Sequence, residues 1–185
     1  MCANSVITVS GLPGSGTSTV CELVAQATGF RYINAGAIFR ELAGEDGLSL
    51  AEFGRRAEGD AQVDRRLDDR MAREAAQEDG GVILEGRVTG WMSVRYRQDA
   101  LKVWLKADIG ARATRVAGRE GQSPEDARLD IEHREQSEGV RYATHYGIDI
   151  GDLSPYDLVI DSVEYTPSEL AERLVAALTG ADRRD

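Results

Sequence analysis

The sequence predicts an α/β fold. It should be a three-layer P-loop sandwich, with a central parallel sheet, helices on both faces and a phosphate-binding loop after the first strand. Three observations carry this. Short apolar, β-rich runs alternate along the chain with longer helical stretches, the order that gives parallel sheets. The first run, residues 5–9, leads at once into Gly11-Leu12-Pro13-Gly14-Ser15-Gly16-Thr17-Ser18-Thr19. No internal repeat, low-complexity tract or Pro/Ser-rich linker interrupts the 185 residues, so one domain over 1–185 is expected.

Each element follows from local chemistry. Ser5-Val6-Ile7-Thr8-Val9 is the first strand, and the loop opens into a helix over about 17–27 that Gly29 ends. Arg31-Tyr32-Ile33 is a short second strand. Asn34-Ala35-Gly36 starts a helix carrying Ile38, Phe39, Arg40 and Leu42. Residues 44–47 read as a turn, after which Ser49 caps a short helix with Leu50 and Phe53. From 61 to about 78, Val63, Leu67, Met71 and Ala75 recur every four residues, a helical stripe that Gly80-Gly81 breaks. Val82-Ile83-Leu84-Glu85 and residues 101–106 are buried strands. A helix over about 109–118 and a long charged helix over about 123–146 follow. Residues 157–161 are the last strand, and Pro167 starts a closing helix with Leu170, Leu174 and Leu178.

Ligands of such sheets bind at the carboxyl ends of the strands. Three ends converge there: the glycine loop after Val9, Glu85-Gly86-Arg87 after Leu84, and Asp161 after Ile160. The loop fits the phosphate-binding pattern Gly-x-x-x-x-Gly-Lys-Ser/Thr with one departure. Gly11 and Gly16 are correctly spaced and Ser18 holds the metal-ligand position, but Thr17 stands where the lysine belongs. Backbone N–H groups and the helix N-terminus can still hold phosphate. The ammonium that reaches the β- and γ-phosphates is missing, so other cations must supply its charge. A tight connection is the plain alternative, but three glycines and Pro13 within six residues argue against it.

Composition narrows the classes. A net charge of −10 argues against general nucleic-acid binding, which needs a basic surface. The longest apolar runs fall well short of the ~18–20 residues of a membrane span. Met1-Cys2-Ala3-Asn4 leads straight into the first strand, and two cysteines make no disulfide framework or metal cluster. A cytoplasmic protein is expected, with Cys21 a small buried helix residue. Lys102 and Lys106 are the only lysines, against twenty arginines, a usage that suits a halophilic or high-GC source. Arginine is also the better bidentate partner for phosphate.

Several blocks in order resemble the nucleoside monophosphate kinases, and among them the archaeal-type (type 2) cytidylate kinases. They are Ile7 through Thr19, Ala35-Gly36-Ala37-Ile38-Phe39-Arg40, Leu84-Glu85-Gly86-Arg87 with Gly90-Trp91, Trp104-Leu105-Lys106-Ala107, and Arg134-Glu135 through Arg141-Tyr142 to Tyr146-Gly147-Ile148-Asp149. The likeness covers nearly the whole chain, and that group also carries threonine at the loop's lysine position. It implies a mobile monophosphate-binding segment at about 35–79 and a lid at about 115–146. It further implies ATP as donor, Mg²⁺, and CMP or dCMP as acceptor.

The resemblance and the residues together nominate a site. Gly11 through Thr19 would bind ATP, with Ser18 on a nucleotide-bound Mg²⁺. Gly36, Arg40, Glu85 and Arg87 would bind the acceptor. Arg40 could instead be a solvated helix charge, and Glu85 could orient metal-bound water or only hold Arg87. Arg87, just past a buried strand end, has phosphate as its natural partner. Arg134 and Arg141 are seven apart on one helix face, and with Arg87 are the candidate catalytic residues, closing over the phosphates as lid arginines. Asp126, Asp130, Glu132, Glu135 and Glu138 allow the alternative of a salt-bridged surface, the preferred reading for Arg128; Arg119 is intermediate. His133 and His145 lack a ligand cluster, and Trp91 and Trp104 read as packing residues.

The expected activity is transfer of the ATP γ-phosphoryl group to CMP and dCMP. Such transfer needs alignment and charge stabilisation rather than a nucleophilic His or Cys. The alternatives are another monophosphate acceptor, or a nucleotide-binding regulator that lost catalysis with its lysine. No helix shows a sustained heptad seam, so a monomer is expected.

Overall fold

A computed structural model describes residues 6–76 and 80–180. Cys2, Ser5 and the predicted end of the fourth helix at 77–78 lie outside the described residues. The strands are β1 (Val6–Gly11), β2 (Arg31–Asn34), β3 (Val82–Glu85), β4 (Leu101–Lys106) and β5 (Leu158–Asp161). They form one parallel sheet in the order β2-β3-β1-β4-β5. β1 is central, with Val9 level with Glu85 on β3 and with Val103 on β4. A strand covered on both faces reads as an unbroken apolar run, which is why β1, β3 and β4 were visible in the sequence.

Helices cover the sheet. α1 (Thr17–Thr28) and α8 (Pro167–Thr179) pack on one face, where Val20, Val24, Leu170 and Leu174 meet Ile7, Val9, Ile83, Val103 and Leu105. α2 (Ala35–Glu45), α3 (Leu50–Gly59) and α4 (Ala61–Ala75) share a second core of Ile33, Ile38, Leu42, Phe53, Val63 and Met71. α6 (Ile109–Glu120) and α7 (Pro124–Tyr146) form a third through Ala113, Val116, Ala127 and Ile131. Ser49 caps α3 in a full capping box with Glu52, as its position foretold.

Two local expectations need correction. The turn placed at 44–47 starts later: burial of Leu42 and Ala43 carries α2 past Gly44 through Glu45 despite glycine's poor helix propensity, and the chain reverses only at Gly47 with φ 69°. α5 (Thr89–Arg95) was not foreseen, since Thr-Gly-Trp-Met-Ser-Val-Arg has no apolar stripe. It packs through small residues: Gly90 and Ser93 are buried, and a Cβ on Gly90 would lie 2.3 Å from the Tyr156 ring. Tyr156 in turn lies against the buried Trp104, ring centroids 5.2 Å apart, and Trp91 donates to the Asp152 carbonyl. Both tryptophans are packing residues, as expected.

Candidate active site

β1 delivers the chain to Gly11, and Ser15 N–H closes a turn on the Leu12 carbonyl at 3.0 Å. Gly14 and Gly16 have φ of 85° and 90°, conformations that only glycine adopts cheaply. Gly16 then stands as the N-cap of α1 with no side-chain cap and no acidic residue in the first turn. Every other helix of eight or more residues among the described residues is capped by its own Asn, Ser, Asp or Thr. The free N–H groups and positive end of α1 are therefore open to an anion. The Ser15 hydroxyl is fully buried and has no hydrogen-bond partner among the described residues. An open helix end and an orphaned donor in one loop fit a bound polyphosphate.

Two arginines of α6 brace the loop from behind. Arg112 is buried, donates to the Ala107 carbonyl at 3.0 Å and the Pro13 carbonyl at 3.3 Å, and pairs with Glu135. Arg115 donates to the Gly14 and Ser15 carbonyls at 3.4 and 3.3 Å and to Ser162 at 2.9 Å. Between them the two arginines occupy the carbonyls of residues 13–15. Sequence reasoning missed Arg112 and gave Arg115 no role beyond marking the start of the lid. The available signal was their i,i+3 spacing on the helix that directly follows β4.

Glu85 ends β3 beside the loop and is 7% exposed. One carboxylate oxygen accepts from Thr17 at 2.5 Å and Ser18 at 2.8 Å, the other from Tyr32 and Asn34. Thr17, the residue in the lysine position, thus points its hydroxyl at Glu85. Asp161 is not part of this cluster: it accepts from Val163 N–H in its own turn and faces Lys106 at 3.6 Å.

Arg87 lies at the mouth of the loop, donating to the Gly11 carbonyl at 2.5 Å and to Glu138 at 2.6 Å. Glu138 also accepts from Arg134 at 2.9 Å, so one buried carboxylate gathers two of the nominated arginines. Burial opposes charge here, yet Arg87 and Arg134 outweigh it and hold the Glu138 carboxyl below its ordinary range. The Arg134 side chain is half exposed and can leave this pair cheaply.

Arg141 is placed differently. It is 5% exposed, and its Nε lies 3.3 Å from Asp64 of α4 with no hydrogen bond among the described residues. Its guanidinium stacks 5.1 Å over the Phe39 ring and 4.9 Å over Tyr142. His145 is 2.9 Å from the other Asp64 oxygen, and Tyr146 donates to Asp68. Arg141 therefore faces α2 and α4 rather than the loop. Arg40 is exposed with no ion pair among the described residues, and its guanidinium lies over Gly36, 3.7 Å from where a Cβ would sit. Arg128 pairs with Glu132 on the surface, as read. Among the described residues, no group of His, Cys, Asp and Glu could hold a metal by itself. No described helix is long and apolar enough to cross a membrane.

A parallel five-stranded sheet with an open glycine loop after its central strand, ringed by arginines, has the fold of the P-loop kinases. Solved structures agree. A shikimate kinase from Acinetobacter baumannii matches with a TM-score of 0.61 at 13% identity, over 96% of this chain and 94% of that one. A gluconokinase from Sinorhizobium meliloti matches with a TM-score of 0.56 at 17% identity, over 99% and 96%. The model of the cytidylate kinase-like family matches residues 6–164, and the chain belongs to that family. The cytidylate kinase of Pyrococcus abyssi is 48% identical over 173 residues, 94% of this chain and 93% of that one. That of Halobacterium salinarum is 40% identical over 173 residues, 94% and 88%.

Proposed function

We propose that the protein transfers the γ-phosphoryl group of ATP to CMP and dCMP, with Mg²⁺, releasing ADP and the nucleoside diphosphate. The open N-terminus of α1, with Ser18 and Arg87 at its mouth, carries the phosphotransfer reading. The cytosine nucleotide follows from what the relatives are named for.

Residues 11–19 hold the donor phosphates, and the Ser15 hydroxyl gains there the acceptor it lacks. Mg²⁺, coming with the nucleotide to Ser18, would neutralise charge on the β- and γ-oxygens. Gly36 leaves room for Arg40 to grip the acceptor phosphate, and Arg87 aligns that phosphate with the loop. An acceptor oxygen forms the new bond to the γ-phosphorus as the bond to the β,γ-bridging oxygen breaks, its electrons leaving with ADP. The attacking oxygen is already anionic, so no strong base is needed.

Residues 35–76 of the acceptor segment and the lid at about 115–146 meet through Ser137 and Glu58, His145 and Asp64, and Tyr146 and Asp68. This contact brings α7 over the site and limits water entry. In that arrangement Glu138 keeps Arg134 and Arg87 within reach of the transferring group. Arg141 acts from the acceptor side, fixing Phe39 and α2 against α7. All these residues come from one chain, so a monomer suffices.

The test is a coupled assay with ATP and Mg²⁺ against CMP, dCMP, UMP and AMP, at low and high salt. Turnover is expected with the two cytidine nucleotides. Preference for UMP or AMP overturns the acceptor assignment, and no turnover with any, despite ATP binding, points to a regulator.

A further inference from the structure

Glu85 is a buried carboxylate with four hydrogen bonds and, among the described residues, no cation within salt-bridge distance. Its donors are two hydroxyls, a phenol and an amide, all neutral. Burial makes such a charge costly, the neutral cage offsets only part of that cost, and the Arg87 guanidinium reaches it through space without touching it. Glu85 sits 2.8 Å from Ser18, the residue to which the proposed function brings the nucleotide-bound cation. A cation arriving with the substrate at Ser18 would be the nearest counter-charge to this carboxylate.

The cage is built rather than incidental. β2 and β3 run parallel in register, so Asn34 lies level with Glu85. Asn34 Oδ1 accepts from Ala37 N–H at 2.8 Å and caps α2. That leaves its Nδ2 to donate to Glu85 and, at 2.8 Å, to the Tyr32 oxygen. Tyr32 accepts that bond and donates its own hydroxyl to Glu85. Burial and the nearby Glu85 push the Tyr32 phenol up, which keeps it a donor. One Glu85 oxygen is thereby fixed, and the other is aimed at Thr17 and Ser18.

We infer that Tyr32 and Asn34 are positioning residues: they hold Glu85 toward the cation of the bound donor nucleotide, and Asn34 ties that cation site to the start of the acceptor helix α2. The inference rests on the kinase reading. Glu85 acts from behind Ser18: it orients what lies around that hydroxyl, and outer partners of this kind set metal affinity.

Tyr32→Phe removes one donor and keeps the ring, and Asn34→Ser keeps an N-cap while losing the amide. Mn²⁺ binding to the protein–ADP complex, followed by the paramagnetic resonance of free Mn²⁺, is the direct readout. Each variant that melts cooperatively should bind Mn²⁺ about 10-fold more weakly. Its half-saturating Mg²⁺ in turnover should rise in parallel, while the KM for CMP in Tyr32→Phe stays near wild type. Wild-type Mn²⁺ affinity in a folded Tyr32→Phe, beside a wild type active on CMP, overturns the inference and leaves the kinase reading intact. Weakened Mn²⁺ binding in a protein whose wild type turns over no monophosphate supports the positioning and overturns the kinase reading. If both variants fail to melt cooperatively, the cage is a folding element and the inference fails.

Discussion

Asp64→Ala is the sharpest probe of how α4 and α7 are held together. Asp64 is 2% exposed and serves two groups from α7, Arg141 Nε at 3.3 Å and His145 Nδ1 at 2.9 Å. Removing its carboxylate leaves the Arg141 guanidinium buried among Phe39 and Tyr142, with Nε already lacking a hydrogen bond. Breaking a buried pair from one side costs about 3–5 kcal/mol, because the surviving charge is uncompensated. The two ring contacts return only about 1–2 kcal/mol and are present in the parent as well, so they do not soften the loss. Against a total stability of roughly 5–15 kcal/mol, this is a large fraction. Urea unfolding at pH 7, followed by the fluorescence of Trp91 and Trp104, measures it. The double variant Asp64→Ala, Arg141→Met removes both charges and should recover at least ~1 kcal/mol over Asp64→Ala alone. A single-variant cost below ~1 kcal/mol, or a double variant that equals the sum of the singles, would refute the coupled buried pair.

Three further outcomes follow from the same geometry. Arg134→Ala should lower kcat by about 10²–10³-fold with an unchanged urea midpoint, because its half-exposed side chain contributes little to stability; steady-state kinetics with unaltered kcat would remove it from the transfer step. Thr17→Lys should give no gain in kcat, since the new ammonium would meet Glu85 first, and a large rise would show the missing lysine to be a true deficiency. For Asp68, burial first, then Asp64 and Asp69, outweigh the hydrogen bond from Tyr146 and raise the carboxyl from 3.8 to about 6. The folded state then keeps a proton that the unfolded chain has lost, so this group's stabilisation is full below about pH 4 and is lost as pH rises through 6. Such a rise is worth at most about 3 kcal/mol, and solvent screening at this partly buried site leaves ~1–2 kcal/mol. Asp68→Asn should therefore be more stable by that amount in urea at pH 8, with the gap closing toward pH 4; an equal gain at both pH values would contradict it.

What the sequence made visible is what local rules decide. The glycines of the loop are set by backbone conformation, Asn34 and Ser49 by helix capping, and Glu85 and Arg87 by the end of an apolar run. α5 escaped because its packing uses absent side chains: Gly90 lies under Tyr156, and no periodic hydrophobe records that contact. Arg112 and Arg115 escaped for a related reason. Their contacts on the loop are to backbone carbonyls of residues 13–15, which carry no identity in the sequence.

The charged face of α7 shows where local pattern stops deciding. Arg128 with Glu132 and Arg134 with Glu138 have the same i,i+4 spacing, the same residue types and the same 2.9 Å contact. The first pair is a solvated surface bridge worth a few tenths of a kcal/mol. The second differs because the loop after β3 brings Arg87 to within 2.6 Å of Glu138, and α7 buries that carboxylate beside the phosphate loop. One arrangement decorates a helix, while the other couples α7 to the mouth of the site. Nothing within residues 128–138 separates them. The distinguishing fact is a contact made across 51 residues, and the chain encodes it only through the sheet that sets β3 beside β1.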